Sequence, residues 1–273
     1  MTKIPNFVHN TDIGQNFLVD MSVIDYIIKK ADIQHGDRIL EIGPGEGVLT
    51  EALLASPCEA VCTVELDTRL KHNLEMLALK NPKLTHLWGD AVQFDYVGKM
   101  PWTPNRIIAN LPYHITTPLL WTLIEKLVPA GLSSLILMVQ LESAQRITSP
   151  ACSRQRSPLG VTIEAMGCSK ILRNVPPSCF RPQPRVMSCI IEIELDKNRE
   201  FATDKKWKQL LVRSFAQRRK TLSNNWAAGY GLEKEHSWQI LAEHGLKPLS
   251  RAEELSLDKW KELLARPEFE LAR

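Results

Sequence analysis

The sequence predicts a doubly wound α/β fold, a mostly parallel sheet with helices on both faces, followed by a small helical C-terminal domain. Three observations predict it. Between residues 38 and 140, short apolar runs that read as buried strands alternate with segments of helical period. A glycine-rich turn, Gly43-Pro44-Gly45-Glu46-Gly47, directly follows the first of those runs. Beyond Asp196 the apolar spacing becomes helical, with Trp207, Leu210, Leu211 and Phe215 on one face.

Taken in order, Ile13 to Leu18 precedes an amphipathic helix whose apolar face is Val23, Ile24, Ile27 and Ile28. Arg38-Ile39-Leu40-Glu41-Ile42 is the first sheet strand, and a helix starts after the glycine turn near Val48. Ala60 to Val64 is the second strand and ends in Glu65-Leu66-Asp67; Thr68 to Lys80 is its helix. Leu84 to Trp88 is the third strand, ending in Gly89-Asp90-Ala91. Arg106 to Ala109 is the fourth; it stops at Asn110-Leu111-Pro112-Tyr113-His114 because Pro112 has no N–H for the ladder. Thr116 and Thr117 supply hydroxyls to cap the helix from Pro118 to Leu127, and Leu135 to Gln140 is the fifth strand. A short helix (142–147), a Ser/Arg/Pro loop and a further helix follow. Two β-rich runs, 170–175 and 186–195, flank the proline-rich Pro176 to Pro184. Helices are predicted over about 233–244 and 256–265. The domain boundary falls near 197–203, giving a ligand-binding catalytic domain over 1–199 and a helical domain over 200–273.

Composition narrows the function classes. The 273 residues are 44% hydrophobic and 24% charged, as in a water-soluble globular chain with room for one large domain and a smaller one. No apolar run reaches bilayer-spanning length and no signal-peptide pattern opens the chain, so no membrane partner is expected. Six cysteines without a CxxC pair or a neighbouring His cluster read as free thiols of a reducing cytoplasm, with no metal site. A monomer is expected. The net charge of +3 hides a division: residues 142–225 hold 16 Lys/Arg against 7 Asp/Glu, whereas residues 1–141 hold 11 against 15. An acidic front and a basic middle suit a small-molecule site coupled to a polyanion-binding surface. Arg218-Arg219-Lys220, read as the end of an amphipathic helix, with Lys205, Lys206, Lys208 and Arg213 gives a basic face for phosphate contacts.

The acids and glycines at the strand ends specify the small molecule. Gly43-x-Gly45-x-Gly47 is not the G-x-G-x-x-G of a dinucleotide site. Glu65 at the end of the second strand is placed to accept from both ribose hydroxyls of a nucleoside, and Asp90, with Ala91 beside it, from an exocyclic adenine amine. A nucleoside without a pyrophosphate points to S-adenosyl-L-methionine rather than NAD. Asn110-Leu111-Pro112-Tyr113 then lies where open α/β sheets bind ligands.

Gly14-Gln15-Asn16-Phe17-Leu18, Leu40-Glu41-Ile42-Gly43-Pro44-Gly45 and Asn110-Leu111-Pro112-Tyr113 resemble the rRNA adenine N6-methyltransferases. Phe180-Arg181-Pro182-Gln183-Pro184-Arg185-Val186-Met187-Ser188 is similar to the family's Phe-x-Pro-x-Pro-x-Val-x-Ser segment. Phe215 to Leu222 with Asn224-Asn225, and Arg251 to Ser256, resemble the branch that dimethylates small-subunit rRNA. The resemblance implies a Rossmann-like class I methyltransferase sheet. It implies transfer of methyl groups from S-adenosyl-L-methionine to the N6 amines of adenosines, two adjacent ones, in a hairpin near the 3′ end of small-subunit (16S) rRNA, during ribosome biogenesis. Asn16 and Leu18 would close over the methionine end of the cofactor, with Gly43 beneath it. Asn110 and the Leu111 carbonyl would accept the amine's hydrogens, Pro112 would fix the turn, Tyr113 would stack on the base and Phe180 would close on its other face. His114 reads as a packing or RNA-facing residue, since the amine needs no base before transfer. Three departures stand out: Asn10-Thr11-Asp12 where the family has basic residues, Leu141 where a lysine is common, and Cys152 to Pro158 in place of a tyrosine-containing loop. Two rival readings are a large-subunit rRNA or DNA adenine methylase and a noncatalytic small-subunit assembly factor.

Overall fold

The computed structural model describes residues 16–270, so the arm at Asn10, Thr11 and Asp12 lies outside the described residues. The elements of the first half are β1 (Phe17–Leu18), α1 (Met21–Ala31), β2 (Arg38–Ile42), α2 (Val48–Leu54), β3 (Ala60–Glu65), α3 (Lys71–Lys80), β4 (Leu84–Trp88), β5 (Arg106–Asn110), α4 (Thr116–Leu127) and β6 (Ser134–Gln140). They are followed by α5 (Leu141–Thr148), α6 (Pro158–Met166), β7 (Gly167–Val175), β8 (Phe180–Arg181), β9 (Ser188–Leu195), α7 (Lys205–Ser214), α8 (Leu222–Tyr230), α9 (Lys234–Glu243) and α10 (Leu257–Leu264). Among the described residues no helix is long and apolar enough to cross a membrane.

The sheet has seven strands in the order β4-β3-β2-β5-β6-β9-β7. β4, β3, β2, β5 and β6 run parallel, and β9 returns antiparallel along β6. The near-continuous apolar runs follow from this topology, because a parallel sheet with helices around it buries both faces of each strand. Alternate residues Ile39, Val61, Ile108, Ile136 and Ile190 join Val23, Ile24, Ile27, Leu49 and Leu53 of α1 and α2 in one core cluster. Their neighbours Leu40, Cys62, Ile107, Leu137 and Ile191, which point the other way, are also fully buried. At the amino-terminal end of the sheet Asp37 gathers three donors: the Gln34 N–H at 2.8 Å, Asn105 Nδ2 at 2.8 Å and Arg106 Nε at 2.9 Å.

Several helix starts follow side-chain chemistry. Asp20 accepts from Ser22 N–H at 2.9 Å to open α1, and Asp204 from Trp207 N–H at 3.0 Å to open α7. The expected caps at Thr116 and Thr117 are corrected. The chain enters α4 through a single 3₁₀ turn, Tyr113–Ile115, and Thr116 Oγ1 donates back to the Pro112 carbonyl at 3.3 Å. A turn already wound in the helical sense leaves that hydroxyl no free amide to cap.

By contact density the described chain divides into one unit of residues 16–144 with 169–196, which holds the sheet, and a second of 145–168 with 197–270. The second unit is built from helices around three fully buried tryptophans, Trp207, Trp226 and Trp260. Trp207 Nε1 donates to Thr162 Oγ1 at 3.0 Å and Trp226 Nε1 to Ser214 Oγ at 2.8 Å, so two of the three indoles are satisfied by hydroxyls. Helix α8 is not foreseen in the sequence, where Asn224, Asn225 and Gly229 blur the periodicity. The placement of Arg218-Arg219-Lys220 at a helix end is also corrected: α7 stops at Ser214 and the three form the connection to α8. Asn225 closes that connection, donating to the Ser214 carbonyl at 2.8 Å and accepting from Gln217 N–H at 3.1 Å. All six cysteines are free, four buried and Cys152 and Cys168 exposed.

Because Leu40 is fully buried on the inner strand β2, Leu40→Ala should lower the unfolding free energy by about 2–5 kcal/mol, read from urea midpoints.

Candidate active site

The carboxyl ends of β2, β3, β4 and β5 open into a single cleft, the place where open α/β sheets bind ligands. Its floor is the turn after β2. Gly43 N–H donates to the Val64 carbonyl at 2.9 Å, tying the turn to β3, and its φ of +67° is one that L side chains rarely adopt. Gly45, at φ +57°, carries a second constraint. A Cβ built there would lie 2.6 Å from Phe17 Cε1 and 2.8 Å from Cδ1, because the Phe17 ring packs directly on this glycine. Phe17 thereby forms a wall of the cleft.

Phe17 is held by backbone pairing. β1 and β8 form a separate two-stranded antiparallel ribbon, with Phe17 opposite Arg181 and Leu18 opposite Phe180. Alternation sends Phe17 toward the cleft and Leu18 into the core.

Three carboxyl groups stand near the floor. Glu65 Oε1 accepts from the Leu66 and Asp67 amides at 2.9 and 2.8 Å, and Oε2 accepts from Gly45 N–H at 3.3 Å. Burial raises its pKa, while those three backbone bonds pull it back. The carboxyl is thus fixed in direction by the protein and still lines the cleft, the condition for receiving a pair of ligand hydroxyls. Asp90 accepts from Val92 N–H through Oδ1 at 2.9 Å, and beside it Ala91 uses its carbonyl to accept from Tyr96 OH at 2.8 Å. Glu41 lies outside the cleft wall. Burial pushes its pKa to about 8, with the nearby Glu65 charge adding in the same direction, and Thr50 Oγ1 donates to it at 2.6 Å.

The opposite wall is Asn110 to Ile115. Leu111 N–H makes one further ladder bond, to the Met138 carbonyl at 3.0 Å, and Pro112 then ends the strand. Asn110 Nδ2 donates to the Asn16 carbonyl at 3.1 Å, so the amide of this side chain has a fixed sense and its Oδ1 remains an acceptor. The Tyr113 hydroxyl lies 2.5 Å from Ser188 Oγ, and burial raises the phenol's pKa. Pro112 contributes ring atoms against Gly43, 3.8 Å from where a Cβ would be. His114 is exposed at the rim.

The structure therefore brings together Asn16, Gly43, Gly45, Glu65, Asp90, Ala91, Asn110, Leu111, Pro112 and Tyr113. It does not bring Leu18 or Phe180 into the cleft. Phe180 is 2% exposed and packs with Ile24, Met138 and Ile190 in the core, because its pairing with Leu18 turns both side chains inward. The Phe180 ring, which the resemblance implies stacks on a base, lies in the core cluster here and not on the cleft wall. Phe17, Leu66 and Ser188 are contributions that sequence reasoning did not assign. Phe17 and Leu66 sit beside residues already singled out, whereas nothing local to Ser188 signals its partner 75 residues away.

In the helical unit Lys206 pairs with Glu270 at 2.6 Å, Arg213 lies 4.6 Å over the Tyr230 ring, and Arg218 donates to the Arg154 carbonyl. Those cations are partly engaged within the unit. Arg219 and Lys220 are exposed on the α7–α8 connection. Among the described residues no group of three His, Cys, Asp or Glu converges to hold a metal ion.

The sequence profile of a family described as ribosomal RNA adenine dimethylase matches residues 6–265. A curated relative named ribosomal RNA small subunit methyltransferase A from Synechococcus sp. (strain RCC307) is 35% identical over 258 residues, 92% of this chain and 93% of the relative. One of the same name from Geobacter metallireducens is 36% identical over 260 residues, 92% of each. Among solved structures, a dimethyladenosine transferase from Plasmodium falciparum superposes with a TM-score of 0.76 at 25% identity, covering 90% of this chain and 95% of that one. The 23S rRNA methyltransferase ErmE, at 21% identity and a TM-score of 0.65, covers 91% and 98% and shares the fold.

Two outcomes follow from the floor of the cleft. Gly45→Ala should lose about 1–3 kcal/mol of stability from strained φ, with more added by the Phe17 contact, measured by denaturant unfolding. Glu41 titrates near 4.5 in the unfolded chain and near 8 when folded, so the folded protein holds a proton the unfolded chain gives up and stability falls as pH rises through that window. Glu41→Gln should shrink the difference between urea midpoints at pH 5 and pH 8.

Proposed function

The chain belongs to the ribosomal RNA adenine dimethylase family, and on that premise we propose that it is an enzyme transferring methyl groups from S-adenosyl-L-methionine to the exocyclic N6 amines of adenosines in small-subunit rRNA. Two adjacent adenosines in a hairpin near the 3′ end, each taken to dimethyladenosine during ribosome biogenesis, are its targets, and the cytoplasm is its compartment. The relatives named for the small subunit, at 35–36% identity over about nine-tenths of the chain, support that substrate over large-subunit rRNA.

The residues fit the cofactor. A buried carboxyl with both oxygens oriented by backbone amides suits the two hydroxyls of a ribose, Asp90 suits the adenine amine, and the glycine turn lets a ligand approach the backbone closely. When bound, S-adenosyl-L-methionine supplies a methyl group already activated by its sulfonium. What this chain must add is orientation. An adenine amine is a weak nucleophile because its lone pair is delocalised into the ring, so holding its hydrogens favours the pyramidal nitrogen that attacks. Asn110 Oδ1 and the Leu111 carbonyl accept those hydrogens, Pro112 keeps the two acceptors in register, and Tyr113 lies against the base, which must leave its stack to arrive. A stacking contact of this kind contributes about 1–3 kcal/mol. The observation that carries the reading is the Asn110 Nδ2 bond to the Asn16 carbonyl, since it leaves the oxygen of that side chain for the amine.

Arg218, Arg219 and Lys220 serve the RNA backbone in this reading. Recognition of a folded hairpin rests mainly on shape and phosphates.

Labelled methyl groups should enter small-subunit RNA and not large-subunit RNA; incorporation into neither, with binding to immature small subunits, would favour the noncatalytic assembly factor. Asn110→Ala should lower the rate of transfer by about 10²–10³-fold with the fold retained. Unchanged transfer in that variant would sink the acceptor role.

A further inference from the structure

We infer that Ser188 is a positioning residue for methyl transfer, acting through the Tyr113 hydroxyl to set the ring against which the target adenine is held; this rests on the function proposed above. Tyr113 projects from a single 3₁₀ turn, Tyr113–Ile115, placed between a strand that has ended and a helix that has not yet begun. A ring in such a position turns about its χ angles unless something holds its far end. Among the described residues, that end is held by a hydrogen bond to Ser188 Oγ at 2.5 Å.

Ser188 is well suited to hold it. It is fully buried and opens β9, where it pairs in register with Gln140 of β6, so its backbone is fixed by the main sheet. It is absent from the cleft wall, and its hydrogen bond to the site runs to the phenol. A buried serine hydroxyl needs a partner, and so does a phenol whose burial raises its pKa; each satisfies the other. The arrangement mirrors the one at Asn110, whose amide is pinned by the Asn16 carbonyl. Both groups proposed to meet the adenine are thus held from outside the strand–turn segment that carries them. The two supports are joined through one piece of chain: Asn16 precedes β1, β1 pairs with β8, and β8 leads through Pro182 and Pro184 to Ser188.

A double-mutant cycle tests this. Ser188→Ala, Tyr113→Phe and the double variant are compared for transfer to small-subunit RNA, alongside calorimetric binding of S-adenosyl-L-methionine and thermal unfolding. Losing one buried hydrogen bond that orients a reacting partner should lower kcat on the order of tenfold in Ser188→Ala. Cofactor affinity should change by less than twofold, and Tyr113→Phe should show a similar loss. The double variant should be no slower than the slower single variant, because both remove the same bond. Ser188→Thr, which keeps the hydroxyl, should recover most of the rate. Losses that multiply in the double variant, a Ser188→Ala enzyme with the parental kcat, or a fall in cofactor binding that tracks the fall in rate would each overturn the inference. Absence of transfer by the parental protein would instead refute the proposed function itself.

Discussion

One missing N–H organises the site. The ladder between β5 and β6 continues through Leu111, whose amide reaches the Met138 carbonyl, and then meets Pro112, which has nothing to donate. The strand cannot continue, yet its last residues are still held in sheet geometry. Asn110 and Leu111 are therefore rigid backbone at the open end of a parallel sheet, where neighbouring strands deliver Gly43, Glu65 and Asp90 to the same cleft. The proline also keeps the chain extended for one more residue before the turn at Tyr113. Acceptors, acid and glycine floor share one edge because the sheet ends there in every strand.

Rigid placement of a backbone does not fix a side chain, and the molecule handles this separately. The side-chain amide of Asn110 and the phenol of Tyr113 each have a second anchor, from Asn16 and Ser188. Ser188 opens β9 of the main sheet, whereas Asn16 directly precedes a ribbon of two residues per strand, β1 with β8, too short to be stable by itself. It is stabilised by Leu18 and Phe180, whose side chains both join the core cluster. The burial of Phe180 is therefore what holds Phe17 and Asn16 over the cleft.

The parallel strands were legible because burial on both faces leaves uninterrupted apolar runs, as in Ile107 to Ala109 and Leu135 to Val139. Glu65, Asp90 and Asn110 were legible because they follow such runs directly, so finding the strand finds the residue. What escaped has a common cause: long sequence separation or competition between local preferences. The Tyr113–Ser188 bond spans 75 residues and the Asn110–Asn16 bond 94, and no local pattern encodes either. Helix α8 was hidden by two asparagines and a glycine, though Asn225 is the residue that closes the preceding turn. Thr116 looked like a cap, but the chain was already turning before it.

The packing of Phe17 on Gly45 ties two distant positions into one heritable unit. A methyl group at position 45 has no room while a phenyl ring stands 2.6 Å from where it would sit, so shrinking residue 17 must precede or accompany any such change. Even then the positive φ at 45 still disfavours a side chain. Substitutions at 17 and 45 should be epistatic in an ordered way: a smaller residue at 17 is individually accessible, whereas a larger one at 45 is accessible only on that altered background. Across divergent sequences, variation at 45 would thus be conditional on variation at 17 and not the reverse.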